Sequence, residues 1–542
     1  MTSILFLRRL VLLLFSLMLP CALRGDDVHH HSLTQDEVGA VNFPTSCSHA
    51  VAADFNRAVA LLHSFQYEQS REAFKDVGKK DPNCAMAEWG IAMSHYHGLW
   101  NNGHMDEGRA AARKALNIAL LNKATTSREL GYIEALGEIY KQDENDGSAH
   151  ALSYQQKMAK LHSDYPNDSD AAIFYALALD VTAAKTDKTF ANQRQCGEIL
   201  EPIFRQQPHH PGVAHYLIHC YDNPVLAAQG LVAARSYAKI APASAHAQHM
   251  PSHIFTRVGL WDESIESNRH SKLSATEAEK TSTGGEARDQ RLHAMDYLEY
   301  AYLQSGQDRD AKNVLDELKS LAEVSGGTST GNYATSAIPA RYALERRDWK
   351  GAAELKPDPT AVPWAQALTW LAVGEGAARS SNSKRAAEAA QSLASLHDKA
   401  VAMKNSYWAS QIEVQRGEVS AFMSEMSGDH EAALAKITAA AELEESMDKD
   451  AVTPGALIPA REMLAELLAL NNQPARALAE YEAVLRLAPN RFNALYGAAT
   501  AAETSGETDK AASYYRKLTA VAKSDERPEV KTARNRLSIA KK

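Results

Sequence analysis

Beyond its first 25 residues the chain has no apolar run of the ~20 residues that a spanning helix needs. A membrane-crossing helix is thereby excluded from the mature chain. It also lacks a surplus of positive charge: the formal net charge is −9. That excludes the basic stripe by which nucleic acid is held, so no nucleic-acid partner is expected. The one basic run, Lys531 to Lys542, reads as a solvated end. Strand-like alternation is rare, which excludes a sheet-based fold. Several catalytic signatures are missing too. There is no HExxH helix, no CxxCH, no GxxxxGK[ST] loop and no GxSxG elbow. The fragment Gly374-Glu375-Gly376 has neither the third glycine nor the strand of a dinucleotide site. No nucleotide and no covalent haem are expected. An activity would have to rest on a bound metal with an open coordination position.

What is present begins with MTSILFLRRLVLLLFSLMLP. Arg8 and Arg9 precede an apolar core from Leu10 to Leu19, the build of an export signal. Cleavage is placed near Gly25, with Ala22 as the other candidate. Lipidation of Cys21 is opposed by the preceding Pro20. The expectation is an exported chain, periplasmic or secreted.

The C-terminal end carries the clearest internal repeat. Ala477, Tyr481 and Pro489 are followed 34 residues later by Ala511 and Tyr515. The register recurs at Ser70, Phe74 and Pro82, and at Gly230, Ala234 and Pro242. It recurs again at Gly259 and Ser264, Gly306 and Ala311, and Gly428 and Ala433. This period and order of residues resemble the tetratricopeptide family, in which each repeat is one helix–turn–helix unit. The resemblance runs from about Asp54 to Ala522 and implies an all-α superhelical solenoid. Residues 1–25 then form the signal peptide and 26–50 an N-terminal arm. A histidine-rich solenoid covers 51–355. A proline-rich joint at 356–363 carries Pro357, Pro359 and Pro363, a second solenoid covers 364–528, and a basic tail covers 529–542. The stretch TSTGGEAR, Thr281 to Arg288, reads as a flexible insertion. HPGVAHYLIHCYDNP, HAQHMPSHIFTRVGLW and DPNCAMAEWGIAMSHYHGLW resemble a group of exported bacterial tetratricopeptide proteins. That likeness spans Phe43 to Leu303, implies an exported solenoid and supplies no activity.

Four cysteines follow the signal: Cys47, Cys84, Cys196 and Cys220. An even number in an exported chain favours disulfides, and sequence alone allows three pairings. Helix stacking favours Cys47–Cys84, about one repeat apart. It also favours Cys196–Cys220, at similar distances either side of the turn Pro208 to Gly212. The alternative is four buried thiols.

Histidine is distributed unevenly. Of 21, only His397 and His430 lie beyond the proline joint. His215 and His219 form an HxxxH pair, and His249 and His253 repeat it 34 residues later. In the family register the second, fifth, ninth, twelfth and thirteenth positions of a first helix are among those that line the concave groove. The resemblance therefore places His246 at the second position, His215 and His249 at the fifth, His219 and His253 at the ninth, and Arg257 at the thirteenth. In the next unit it places His293 at the second and Asp296 at the fifth. Residues four apart share a helix face about 6 Å apart, and packed helices lie about 8–10 Å apart. Imidazoles from successive helices can then meet at one ion. Such donors, with Tyr216 or Asp296 near them, suit copper, zinc or iron.

Plainer readings stand beside this one. A single histidine on an apolar face is ordinarily a satisfied core residue, the reading given to His63, His95, His97, His150 and His162. His209 and His210 flank a turn and are expected to be exposed, and His29 to His31 form a polar run. Three functions remain: transition-metal binding in the N-terminal groove, a scaffold for a protein or peptide partner, and a metal-dependent hydrolase or oxidase. The C-terminal solenoid is expected to be scaffold in each.

Overall fold

Alanine-rich amphipathic segments become helices throughout the computed structural model, which describes residues 34–99, 105–142, 147–280, 285–321 and 329–539. No strand occurs among the described residues. The signal segment, His29 to His31 and residues 281–284 of the expected insertion lie outside them. From Glu286 on the insertion is not loop, because the helix Glu286–Gln304 already begins in it.

The helices pair into antiparallel hairpins of the tetratricopeptide type and stack. Hairpin turns repeat one device: a residue in the left-handed region two positions ahead of the next helix. Phe65, Gly259, Gly306, Arg347, Ser381, Gly428, Asn472 and Gly506 fill that place. At Gly259, with φ 70°, a Cβ would also stand 2.2 Å from the Pro489 carbonyl oxygen, so glycine answers two demands. The large residue of the repeat has an equally specific task. Phe74 lies on Gly90 of the following helix, and Tyr481 lies on Gly497. The spacing is 16 residues in both cases. A ring on one helix fills the gap that a missing side chain leaves on the next.

The described part of the N-terminal arm is packed. Phe43 joins Phe55, Trp89 and Tyr132 with ring centroids 5.1–5.6 Å apart. The bond Cys47–Cys84 ties the arm to the helix Ala85–Met93, and Cys196–Cys220 joins Ala191–Gln206 to Pro211–Tyr221. The proline-rich stretch is a non-helical link between Trp349–Ala353 and Pro363–Arg379. The core runs through it without a break, from Leu344 and Ala352 to Leu368 and Leu371. The basic end is a helix, Pro528–Ile539, whose Val530 and Ala533 are buried.

Later helices reach back to earlier ones. The Trp261 indole N–H donates to the Asn490 carbonyl at 2.9 Å, and the Asp448 N–H donates to the Lys185 carbonyl at 2.8 Å. The segment between His430–Glu445 and Ala460–Leu470 brings Asp448, Lys449 and Thr453 onto the histidine-bearing helices.

Gly497→Ala, whose Cβ would meet the Tyr481 ring at 2.2 Å, is expected to destabilise the chain by about 1–3 kcal/mol. Gly137→Ala, in a helix with nothing within 4 Å of the new carbon, is expected to be neutral or to stabilise by up to about 1 kcal/mol. Thermal unfolding followed by circular dichroism distinguishes the two. Equal effects would contradict ring-on-glycine packing.

Candidate metal centre

The helix Pro211–Tyr221 opens with proline in its first turn, where no N–H is needed. It carries His215 and His219 on one face. The next histidines lie on Ala245–His249, whose N-terminus is capped by Ser244 Oγ accepting from the Ala247 N–H at 3.2 Å. Pro251 cannot donate to the turn before it. The chain nevertheless stays right-handed helical at Met250 (φ −53°, ψ −36°) and continues as Pro251–Arg257. His246, His249 and His253 thus follow one another along one side. His293 and Tyr297 come from Glu286–Gln304.

All six imidazoles are buried. They fall into two triads, His215 with His219 and His246, and His249 with His253 and His293. His215 Nε2 lies 3.1 Å from His219 Nε2 and 3.0 Å from His246 Nε2. His249 Nε2 lies 3.0 Å from His253 Nε2. Three metal–nitrogen bonds of ~2.05 Å at tetrahedral angles put nitrogens about 3.3 Å apart. The three closest pairs are near that, and the remaining donor pairs of each triad lie within 4.8 Å.

Partners on the other ring nitrogens fix where the protons are. His215 Nδ1 lies 2.6 Å from the His63 carbonyl oxygen, which only accepts. His253 Nδ1 lies 2.8 Å from Asp222 Oδ2. His249 Nδ1 lies 2.6 Å from Asn268 Oδ1. The Asn268 amide is oriented by its own N–H₂, which donates to the Ser264 carbonyl at 2.8 Å. These three Nδ1 atoms therefore donate, and the three Nε2 atoms present lone pairs. At His249–His253 two lone pairs face each other. At His215 one lone pair meets two nitrogens and can accept a proton from only one of them.

No added proton relieves this crowding. Burial, reinforced by neighbouring imidazoles, pushes His215, His219, His246 and His293 well below the usual histidine range. Burial also lowers His249 and His253, against the pull of Asn268 and Asp222 respectively. An ordinary histidine protonates near pH 6.5; burial moves these to lower pH, so the donors stay neutral further into acid. Asp222 is the buried anion behind the cluster. Burial would raise it, but Lys449 at 2.7 Å and Arg257 at 2.8 Å hold it well below the usual carboxylate range. Neutral imidazoles held in this way suit zinc, copper or iron.

The other expected groove residues point elsewhere. Asp296 is ion-paired with the buried Arg341, which also meets Glu299 at 3.3 Å. It contacts none of the six imidazoles by hydrogen bond. The Tyr216 hydroxyl lies 3.0 Å from His63 Nδ1, behind the first triad. Arg257 holds Asp222 and Asp448 rather than facing a ligand. His209 is exposed as expected, but His210 is buried, 3.5 Å from Asp170 Oδ1. His63, pushed down to about 4 mainly by burial, shares that carboxylate. Its ring is a core group, and its backbone carbonyl orients His215. Cys47 and Cys84 also lie near Asp81, but their sulfurs are joined to each other.

Four residues of the centre are absent from the sequence reading: Asp222, Asn268, Tyr297 and Lys449. Tyr297 stands four residues after His293 and Asp222 three after His219, so helical spacing could have found both. Nothing local marks Asn268 or Lys449, which arrive by helix packing and by the returning segment.

No protein-family model matches the chain, and no curated protein does. Solved structures with some likeness include a human IFIT1 dimer with PPP-AAAA, at 13% identity and a TM-score of 0.36 over 87% of this chain and 90% of that one. Yeast Tom70 shows 13% identity and a TM-score of 0.29, over 90% of this chain and 89% of that one. Ypp1 shows 8% and 0.46, over 86% and 81%. None of these values extends to a ligand or an activity.

The shifted histidines give the protein without metal a pH dependence of known sign. Unfolded histidine takes its proton near pH 6.5, and the folded cluster resists it, so below that pH the unfolded state binds more protons. Stability then falls as pH falls, by up to about 1.4 kcal/mol per pH unit for each histidine kept neutral. Asp222, whose pKa is depressed, adds to the loss only below about pH 4. Melting temperature is expected to be flat above pH 7.5 and to drop steadily toward pH 5. A profile flat throughout would contradict neutral burial of the cluster.

Proposed function

We propose that this chain binds a transition-metal ion, copper, zinc or iron, through His215, His219, His246, His249, His253 and His293. One observation carries the reading. His249 and His253 each commit their Nδ1 proton to an acceptor, leaving two Nε2 lone pairs 3.0 Å apart in a buried site. Two lone pairs at that distance repel; a cation between them turns the repulsion into coordination. The Nδ1 partners supply the second requirement of a metal site, which is rings fixed in tautomer and direction. Export, as the N-terminal segment implies, would place the site in the periplasm or outside the cell.

A docking site for a protein or peptide is the second reading. It is favoured by a cavity of about 390 Å³ that runs from Arg257 and Lys449 beside the histidine centre into the later helices, walled there by Tyr407, Trp408, Glu418 and Arg461. Among the described residues no helix is long and apolar enough to cross a membrane.

The test is a titration of metal-stripped protein with zinc and copper against a competing chelator. Tight uptake is expected in the parent and its loss in His215→Ala/His249→Ala. Asn268→Ala, which touches no metal, is expected to weaken binding by about 10–100-fold. Absence of uptake by the folded parent would overturn the reading.

A further inference from the structure

The six donors are two copies of one construction. In the repeat register each triad takes the fifth and ninth positions of one first helix and the second position of the next. His215 and His219 with His246 form the first, and His249 and His253 with His293 form the second. The series ends on both sides. The second position before His215 is Gly212, where a Cβ would stand 2.5 Å from the His63 ring. The fifth position after His293 is Asp296, paired with Arg341. The two triads also adjoin. Ring centroids of His219 and His253 are 6.2 Å apart, and those of His246 and His249 are 6.4 Å apart.

Three imidazoles leave one position open on an ion that prefers four ligands. One cavity of about 210 Å³ is lined by His246 of the first triad and by His249 and His293 of the second. Tyr67 and Arg71 form part of its wall, and Gly285 also lines it. The cavity therefore touches donors of both triads; its wall carries Arg71 and also the carboxyl groups of Glu68, Glu286 and Asp289, of which burial pushes Glu286 up to about 8 and Asp289 up to about 6.

We propose that the triads hold two metal ions as a pair, and that both ions expose an exchangeable position to this cavity, where a small anion of the size of hydroxide or azide binds. The proposal rests on the metal-binding reading and adds to it the number of ions, their adjacency and the class of ligand. Six nitrogen donors exceed what one four-coordinate ion takes, and they divide by repeat symmetry into two equal sets.

Gly285 provides a clean plug. Its φ is −86°, and a Cβ there meets nothing within 4 Å. Gly285 lines the cavity and its new Cβ meets no atom, so Gly285→Phe adds a ring at the cavity wall without a clash at its first carbon. The experiment loads the full stripped chain with Cu(II) and combines metal analysis with electron paramagnetic resonance and azide titration. Two copper ions per chain are expected, with a dipole-broadened spectrum and a half-field transition. His249→Ala/His253→Ala is expected to retain one ion with an ordinary isolated Cu(II) signal. Azide is expected to add a charge-transfer band in the parent. In Gly285→Phe both ions should stay, while azide affinity falls by about tenfold or more, as a blocked open position requires. One ion per chain, or two with an unbroadened full-intensity spectrum, would overturn the pair and leave the metal reading standing. Undiminished azide binding to Gly285→Phe would overturn the cavity as the ligand's place. No copper uptake at all would remove the metal reading and this proposal with it.

Discussion

The structure turns on a set of imidazoles kept neutral by burial with their ring nitrogens aimed at one another. A buried polar atom without a partner costs about 1–3 kcal/mol. The protein supplies acceptors to Nδ1 of His215, His249 and His253, sets Nε2 of His215 against those of His219 and His246, and sets Nε2 of His249 against that of His253. Apolar residues on the same helices would pack without that penalty. The arrangement makes physical sense when a cation takes the lone pairs. The surrounding charges agree with this: Lys449 and Arg257 neutralise Asp222, so the ring behind which that carboxylate sits remains a neutral donor.

The helical array supplies the precision. Repeats stack at a fixed offset because rings such as Phe74 and Tyr481 fit over glycines of the following helix. A side chain at a given repeat position is then carried to a defined place on the next unit. Placing histidine at the fifth and ninth positions of two successive units, and at the second position of the units after them, is enough to build one triad and then another. Pro251 interrupts the hydrogen-bond ladder between His249 and His253 without ending the helix, so both remain on one face. The later helices close the construction by returning Lys449 and Thr453 to it.

Much of this was legible because it is periodic. The 34-residue echo gave the hairpin stack, and HxxxH spacing gave the shared faces. The pairing of Cys196 with Cys220 followed from the turn between their helices. All six histidines nominated from the register meet in the core. What the sequence could not give is what packing decides. Asp296 has the register of a groove residue, but Arg341, 45 positions later, captures it. His210 looks exposed beside two prolines until Asp170 and His63 close over it. Asn268 and Lys449 lie 19 and 227 positions from the residues they hold, and no local pattern announces such pairs. The C-terminal half has almost no histidine and the sequence pattern of a scaffold, yet it places a cation next to the histidine-bound carboxylate.

The most direct measurement of the central claim is X-ray absorption at the metal edges of the purified protein carrying no histidine tag. The account expects a transition metal with nitrogen neighbours at about 2.0 Å and the outer-shell scattering of imidazole rings. Absence of metal that persists after incubation with zinc or copper, or a bound ion surrounded by oxygen without imidazole scattering, would contradict it.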